Sequence, residues 1–307
     1  MSFLSPHIAA RLFDTPLLVS PDKLAAMVLG LGGHIVDGGV VLLNAPSPRE
    51  HVAFEHGRPS VGVLTDRLTP SYQRNGVKPY AVVNDVAVIG IEGSLVQKGA
   101  YIGQSSGQTS YQGLQVQIAQ ARQDRSLKGA VFEVDSLGGE VSGGFETADA
   151  IRDLSSKIPT MAILTDAAAS GGYLLASQCR QIAMPKSGLA GSIGVISVHL
   201  DASEKMSKDG IKATLITAGE HKADGNPFEA LHPEVFAKIK ARNEATRQDF
   251  AATVGKGRKG RFTKAQALAT EARVFYGQEA LDMGLVDVIA PAQAAFAAFV
   301  KAVNPAA

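Results

Sequence analysis

The sequence contains a single cysteine, no tryptophan and almost no excess of either charge. Because Cys179 has no second cysteine to pair with, an internal disulfide framework and a cysteine-rich zinc site are both excluded. The net charge of +1 provides no general electrostatic attraction to nucleic acid or to an anionic membrane. No stretch reaches the ~18 uncharged apolar residues that a bilayer span needs, and the N-terminus lacks a signal-peptide pattern, so we expect a soluble, unexported protein.

The rest of the composition is that of a globular protein with a full core. Hydrophobic residues make up 45% of the 307 residues, and 32 residues are glycine, which is typical of a chain with many tight turns. From about residue 84 onwards, apolar runs alternate with helical periodicity, which indicates βαβ units and a mainly parallel sheet. The predicted strands are Val86–Ile91, Ala130–Val134, Thr160–Leu164, Ile193–Val198 and Thr214–Thr217.

This pattern divides the chain into three regions. Prolines punctuate residues 1–80, which we expect to form an N-terminal extension and linker with one helix over Leu24–Leu31. Residues 81–290 form the regular α/β domain, and residues 291–307 form a C-terminal helix or tail. Helices of the domain include Tyr111–Asp124 and Val235–Val254, where apolar side chains recur at three- to four-residue spacing.

Two apparent binding motifs lack the structural context or the spacing that their function requires. Residues 255–260 match a dinucleotide fingerprint by letter, but they follow a helix instead of a strand and are rich in lysine and arginine, which indicates a solvated basic loop. The two histidines of His51–His56 lack the spacing of a zinc protease motif. The sequence therefore predicts neither a metal nor an organic cofactor.

Two segments that follow predicted strands have features that acyl-transfer chemistry requires. Asp135–Glu140 (DSLGGE) contains consecutive glycines, Gly138 and Gly139, whose amides can face an oxyanion, although an ordinary strand-to-helix turn would have the same letters. Ala167–Tyr173 (AAASGGY) places Ser170 at the start of a short predicted helix. The serine there is either a nucleophile or a helix cap.

A third segment, Gly219–Pro227 (GEHKADGNP), carries Lys222 in a predicted loop. Most loop lysines are only solvated, but a serine nucleophile needs a base. Lysine has an unperturbed pKa of about 10.4, so it must be desolvated to lose its charge and act as that base. We therefore expect the Lys222 loop to be buried when the site is complete. His221 and His199 leave a Ser–His pair open as an alternative.

Together, these segments resemble the signal peptide peptidase A family (S49) of serine proteases. The likeness covers about Val83–Ile289 and rests also on GSIGV at Gly191–Val195 and on GLVD at Gly284–Asp287. It implies a ClpP/crotonase-like α/β fold of repeated βαβ units with a helical C-terminal part. It also implies a Ser–Lys peptidase domain over residues 81–290.

The resemblance assigns roles to individual residues. Ser170 matches the nucleophile, Lys222 the general base and Ser192 the hydroxyl that orients the lysine. Three glycines match the oxyanion-hole region, namely Gly138, Gly139 and Gly171. Subunits in this family form rings and complete their active sites across neighbours, so the resemblance implies a homo-oligomer without a cofactor.

Within the family, the likeness is greatest to the lambda-type phage capsid assembly proteases. It rests on the opening residues Pro6–Ala10 with Phe13 and Thr15–Leu17, and on the HKxDGNP pattern of the Lys222 loop. It implies cleavage of scaffold or capsid proteins in the host cytoplasm, including the interior of the prohead, with no membrane and no specific nucleic acid as partner. Two departures stand out: Leu137 replaces the usual proline of DSPGG, and the scaffold region expected after the protease is either encoded separately or missing from this chain.

Three other functions stay open from the sequence. One is a soluble signal-peptide-peptidase-like protease of a bacterial cytoplasm, and another is a capsid-assembly component without catalysis. The third is a crotonase-type acyl-CoA enzyme, which would use the oxyanion hole but would have little need for Ser170 paired with Lys222. The small residues Ala167–Ala169 leave room near the nucleophile, and they favour small or apolar residues before the cleaved bond of an extended peptide.

Overall fold

A single mixed sheet runs through the protein. The structure, a computed structural model, describes residues 15–19, 78–99, 104–105 and 107–305. The helix expected over Leu24–Leu31 and the opening segment Pro6–Ala10 lie outside these residues. Within the described residues, eleven strands form the sheet: β1 (Leu17–Val19), β2 (Ala81–Val83), β3 (Val86–Val96), β4 (Gln104–Ser105), β5 (Gln108–Ser110), β6 (Gly129–Glu140), β7 (Thr160–Ala169), β8 (Gln181–Met184), β9 (Leu189–Gly191), β10 (Val274–Tyr276) and β11 (Val288–Ile289).

Helices fill most of the connections between these strands. They are α1 (Tyr111–Gln123), α2 (Gly144–Lys157), α3 (Gly171–Ala176), α4 (Ser203–Lys208), α5 (Pro233–Gly257), α6 (Lys264–Ala269), α7 (Gly277–Asp282) and α8 (Ala292–Val303). Local chemistry sets their starts: Ser110 caps α1 through its side chain, and Thr263 forms a capping box at α6. Within the described ranges, no helix has both the length and the apolar character to cross a membrane.

The centre of the sheet is parallel, as predicted. Strand β6 pairs in parallel with β3 on one side and with β7 on the other, so Ile89, Phe132 and Ala162 lie in register across three strands. Helix α1 connects the β3 region to β6, and α2 connects β6 to β7, which gives the expected repeated βαβ units. Helices α5 to α8 dominate the chain beyond residue 232. The α/β class and the helical C-terminal part are therefore confirmed.

Alternation along the strands divides the core into two layers. In β6, Phe132 and Val134 belong to the main cluster with α1, α2 and α3, whereas Val131 belongs to a second cluster. Helix α8 covers that second face and inserts the ring of Phe299 there, beside Val86 and Val131. Because successive strand side chains point to opposite faces, a strand covered on both sides is apolar along its whole length.

Two predicted strands are wrong. Over Ile193–Val198 the backbone is irregular, and Ile196 forms an isolated bridge with Leu17. Over Thr214–Thr217 no strand forms, and Ile216 is 94% exposed. Both segments are rich in β-branched residues, but composition produces a strand only where a neighbouring strand offers hydrogen bonds along its length.

Two further predictions are corrected around glycines. The segment Asp135–Glu140 is not a tight turn, because β6 continues to Glu140 with an irregularity between Val134 and Ser136, and only then does the chain turn into α2. Residues 255–260 are not a solvated basic loop throughout. Helix α5 extends to Gly257, and the side chain of Arg258 is fully buried because it forms an ion pair with Asp287.

Candidate active site

Ser170 occupies a sharp corner between β7 and α3. Its φ and ψ are 53° and −120°, a region that residues with a Cβ rarely adopt. Its N–H donates to the carbonyl of Gly191 at 2.9 Å, which ties the corner to β9. The side chain makes no capping hydrogen bond to α3, so in this structure the serine does not act as a helix cap.

The hydroxyl of Ser170 is buried without a partner. The residue is 0% exposed, and no hydrogen-bond partner of Oγ is found among the described residues. A buried polar atom left unpaired is costly and is a common feature of reactive groups. A strained backbone together with an unpaired hydroxyl therefore distinguishes Ser170 from an ordinary core serine.

Ser192 lies beside this corner on the neighbouring chain segment. Ala169 pairs with Gly191 in the β7–β9 ladder, so Ser170 and Ser192 each directly follow a paired residue. Ser192 has φ 54° and is 5% exposed, and its N–H donates to the carbonyl of Arg273 at 2.9 Å. The fold thus places two buried serines of unusual backbone conformation next to each other.

The glycines of β6 and α3 meet at the same place. Gly138 has φ 98°, and a Cβ on it would collide with the carbonyl oxygen of Leu18 and fall 2.8 Å from the nitrogen of Gly171. Only glycine allows these backbones to approach so closely. The Gly138 N–H donates to Ser136 Oγ at 3.1 Å, so that amide already has a partner. Gly171 is the first residue of α3, so its N–H has no carbonyl of its own helix to bond.

A segment for which the sequence analysis predicted no strand also reaches this site. Strand β1 runs antiparallel to the end of β6, with Val19 opposite Gly138 and Leu18 opposite Gly139. On its other side, Leu17 exchanges two backbone hydrogen bonds with Ile196, of 2.8 and 3.0 Å. The only sequence signal for β1 is the short apolar run after Pro16, which is too brief to indicate a strand.

Lys222 makes no hydrogen bond to Ser170 Oγ in the single chain. It lies in a series of turns, its N–H donates to the carbonyl of Gly219 at 3.2 Å, and its side chain is exposed. Since Ser170 Oγ has no hydrogen-bond partner, none of Lys222, His221 and His199 bonds to it. The Nδ1 of His221 instead lies 3.2 Å from a carboxylate oxygen of Asp224.

Buried polar groups beneath α3 hold the corner in place. The hydroxyl of Tyr173 donates to the carbonyl of Leu285 at 2.8 Å, and burial raises the pKa of this phenol above its ordinary value. Burial likewise raises the pKa of the Cys179 thiol, which keeps it protonated and unreactive.

Across the described ranges, no group of histidine, cysteine, aspartate or glutamate side chains is arranged to hold a metal ion.

Two phage proteins are similar to nearly the whole chain. The chain is 34% identical over 304 residues to the head-tail preconnector protein GP5 of Enterobacteria phage P21, which covers 97% of this chain and 58% of that protein. It is 32% identical over 285 residues to capsid assembly protease C of Escherichia phage lambda, which covers 92% of this chain and 62% of that protein. The chain therefore spans less than two thirds of the length of either relative.

A solved structure and a family model also match. A membrane protease from Pyrococcus horikoshii, specific for a stomatin homolog, is 16% identical with a TM-score of 0.41, over 70% of this chain and 77% of that one. Residues 152–304, which include Ser170, Ser192 and Lys222, match the model of peptidase family S49. By this match, residues 152–304 belong to peptidase family S49, and the two phage relatives extend the likeness over nearly the whole chain.

Proposed function

We propose that this protein is a serine endopeptidase with a Ser–Lys dyad that acts in the assembly of a phage capsid. The observation that carries the proposal is the state of Ser170: a strained corner, a buried hydroxyl without a partner, and glycine backbones packed against it. Strained turns that present a nucleophile are known from other hydrolases, where the strain keeps the hydroxyl directed at the substrate.

In the proposed reaction, neutral Lys222 accepts the proton of Ser170 as Oγ attacks a peptide carbonyl. The oxyanion accepts hydrogen bonds from the amides of Gly139 and Gly171. The Gly138 amide is bonded to Ser136, so Gly138 shapes the hole by lacking a side chain. Lys222 then protonates the leaving amine, and water hydrolyses the acyl-enzyme. Ser192, beside the corner, orients the lysine.

The position of Lys222 supports a requirement for assembly. In the single chain the lysine is exposed, and apolar side chains near it in the sequence are exposed as well: Ile216 is 94%, Ile211 55% and Phe228 44% exposed. Apolar groups concentrated in one exposed segment are typical of a surface that another molecule covers. We infer that the occupant is a second copy of this chain, which would desolvate Lys222 and order its loop towards a Ser170. Repetition of this contact would build the ring.

The phage relatives provide the proposed substrates. One relative is named a capsid assembly protease and the other a head-tail preconnector protein. Scaffold and capsid proteins are therefore the proposed targets, and the host cytoplasm, including the prohead interior, is the proposed location. A net charge of +1 agrees with protein partners in preference to nucleic acid.

A serine-reactive fluorophosphonate tests this proposal on the assembled protein. We expect wild type and the His221→Ala variant to be labelled, and Ser170→Ala and Lys222→Ala to lose labelling by about a thousandfold or more. Loss in His221→Ala with retention in Lys222→Ala would assign the base to histidine. Absence of labelling in the assembled wild type would favour a capsid component without catalysis.

A further inference from the structure

Strand β1 forms backbone hydrogen bonds with two chain segments that flank Ser170. On one side it pairs with the Gly138–Glu140 end of β6, and on the other Leu17 bonds to Ile196 in the segment that follows Ser192. Peptides that bind by strand addition form the same kind of backbone ladder, with main-chain bonds supplying affinity. The gap between β6 and Ile196 therefore has the shape and the hydrogen-bonding groups of a peptide-binding cleft.

The carbonyl of Leu18 lies beside the glycine backbones of the proposed oxyanion hole. A Cβ built on Gly138 would collide with the Leu18 oxygen, and the same Cβ would fall 2.8 Å from the nitrogen of Gly171. A Cβ on Gly171 would likewise fall 3.3 Å from the same oxygen. A substrate must place its carbonyl oxygen beside these backbone groups before attack. Leu18 thus occupies the space that a substrate residue needs.

The side chains of β1 are buried beside the site. Leu17, Leu18 and Val19 are 5%, 0% and 5% exposed, and Leu18 is part of the main hydrophobic cluster. Ser170 is itself 0% exposed, although a nucleophile must be reached by its substrate. Access to Ser170 therefore requires a rearrangement of what lies over it.

We propose that Leu17–Val19 occupies the peptide-binding cleft of the Ser170 site and competes there with substrate. The identification of this cleft as the substrate-binding cleft rests on the proposed function. Substrates enter as extended antiparallel strands with aliphatic side chains where Leu17, Leu18 and Val19 now lie, and they must displace β1 first. Activity is low while β1 occupies the cleft, and it rises when a substrate segment displaces β1.

Alkylation of a thiol at the nucleophile position tests the occupancy without any need for catalysis. In the full chain carrying Ser170→Cys, iodoacetamide should react slowly, and buried Cys179 is an internal control for unfolding. Adding Leu17→Pro removes the N–H that donates to Ile196, and adding Leu18→Asp places a charge in a buried position. Each should raise the alkylation rate at least about tenfold, whereas Leu17→Ala keeps the backbone bonds and should raise it less.

A peptide with the sequence of residues 14–20 should slow alkylation of the Leu17→Pro chain, and a scrambled peptide should not. The inference is overturned if Leu17→Pro and Leu18→Asp chains, folded by circular dichroism, are alkylated no faster than the Leu17→Ala chain. Failure of the proposed function has a different signature. In that case fluorophosphonate labelling is absent from the unmodified protein and from its Leu17→Pro variant. The alkylation rates of the Ser170→Cys chains still rise when β1 is disrupted.

Discussion

The guanidinium of Arg258 forms a bidentate ion pair with the carboxylate of Asp287, with N···O distances of 2.6 and 2.9 Å. Arg258 is fully buried, and its Nη2 also donates to the carbonyl of Gly284 at 2.8 Å. The carboxylate accepts a further hydrogen bond from the N–H of Ile182 at 2.7 Å. This pair ties the end of α5 to β8 and to the segment before β11, next to the Tyr173 hydroxyl beneath α3.

Replacing Asp287 should strongly destabilise the fold. Asp287→Asn leaves the charge of Arg258 buried without compensation, which we expect to lower the free energy of unfolding by about 3 kcal/mol. Urea denaturation monitored by circular dichroism measures this change. Asp282→Asn, at an exposed position of α7, is the matched control and should stay within about 0.5 kcal/mol of wild type. Equal stabilities of the two variants would contradict the importance of the pair.

The carboxylate of Asp287 also makes the free energy of unfolding depend on pH. Burial alone would raise the pKa of Asp287, but the hydrogen bonds and charge of Arg258 outweigh it and hold the pKa below its ordinary value. Since the folded-state pKa is lowered, its stabilisation is present above the unfolded-state pKa and is lost as pH falls through the folded-state value, from about pH 5 downwards. Unfolding free energies measured from pH 7 to 3 should fall more steeply for wild type than for Asp287→Asn.

Backbone strain at Ser170 should be measurable. With φ at 53°, an alanine there keeps the strain and a glycine relieves it. Ser170→Gly should therefore be more stable than Ser170→Ala by about 1 kcal/mol, after the greater flexibility of unfolded glycine is included. Both variants lose the hydroxyl, so thermal denaturation of the pair isolates the backbone. An alanine variant as stable as the glycine variant would show that the corner is relaxed.

Assembly should depend on the exposed segment before Lys222. Ile216→Asp places a charge at a side chain that is 94% exposed in the single chain, so it should leave the fold intact. If a second copy covers this residue, the association constant should fall by roughly tenfold or more. Light scattering over a dilution series measures this, with Tyr276→Ser, an exposed aromatic on β10, as the control. An unchanged mass distribution would place the interface elsewhere.

The sequence predicts those parts of the fold whose pattern is local. The periodic helix at Tyr111–Asp124 is confirmed to within one residue. The continuous apolar run at Val86–Ile91 is confirmed as a strand, which continues further, to Val96. The predicted strand Ile193–Val198 fails because, among the residues that the structure describes, Ile196 pairs with Leu17 of the short β1 through a single isolated bridge. The N-terminal segment that provides β1 lies far from it in the sequence, and no local pattern reports such a neighbour.

The same limit applies to the candidate site. Ser170 and Gly138 stand out in the sequence because small residues cluster after strands, whereas Ser192 is indicated only by the resemblance to the family, and the fold brings all three together. Burial of Arg258 was not predictable, since arginine next to two lysines indicates solvent unless its distant partner Asp287 is known. The pairing of Lys222 with Ser170 stays a prediction, because no hydrogen bond joins them in the single chain and a contact with a second copy leaves no local pattern in the sequence.

Strand β1 has a consequence for the order in which the protein forms. Val19 pairs with Gly138, so during synthesis β1 leaves the ribosome long before β6 exists, and longer still before the Ile196 segment. Domains made N-terminus first cannot close such a contact until the distant strand has folded. The two bonds between Leu17 and Ile196 therefore form only after Ser170 has been synthesised, so β1 completes its pairing on that side late in folding.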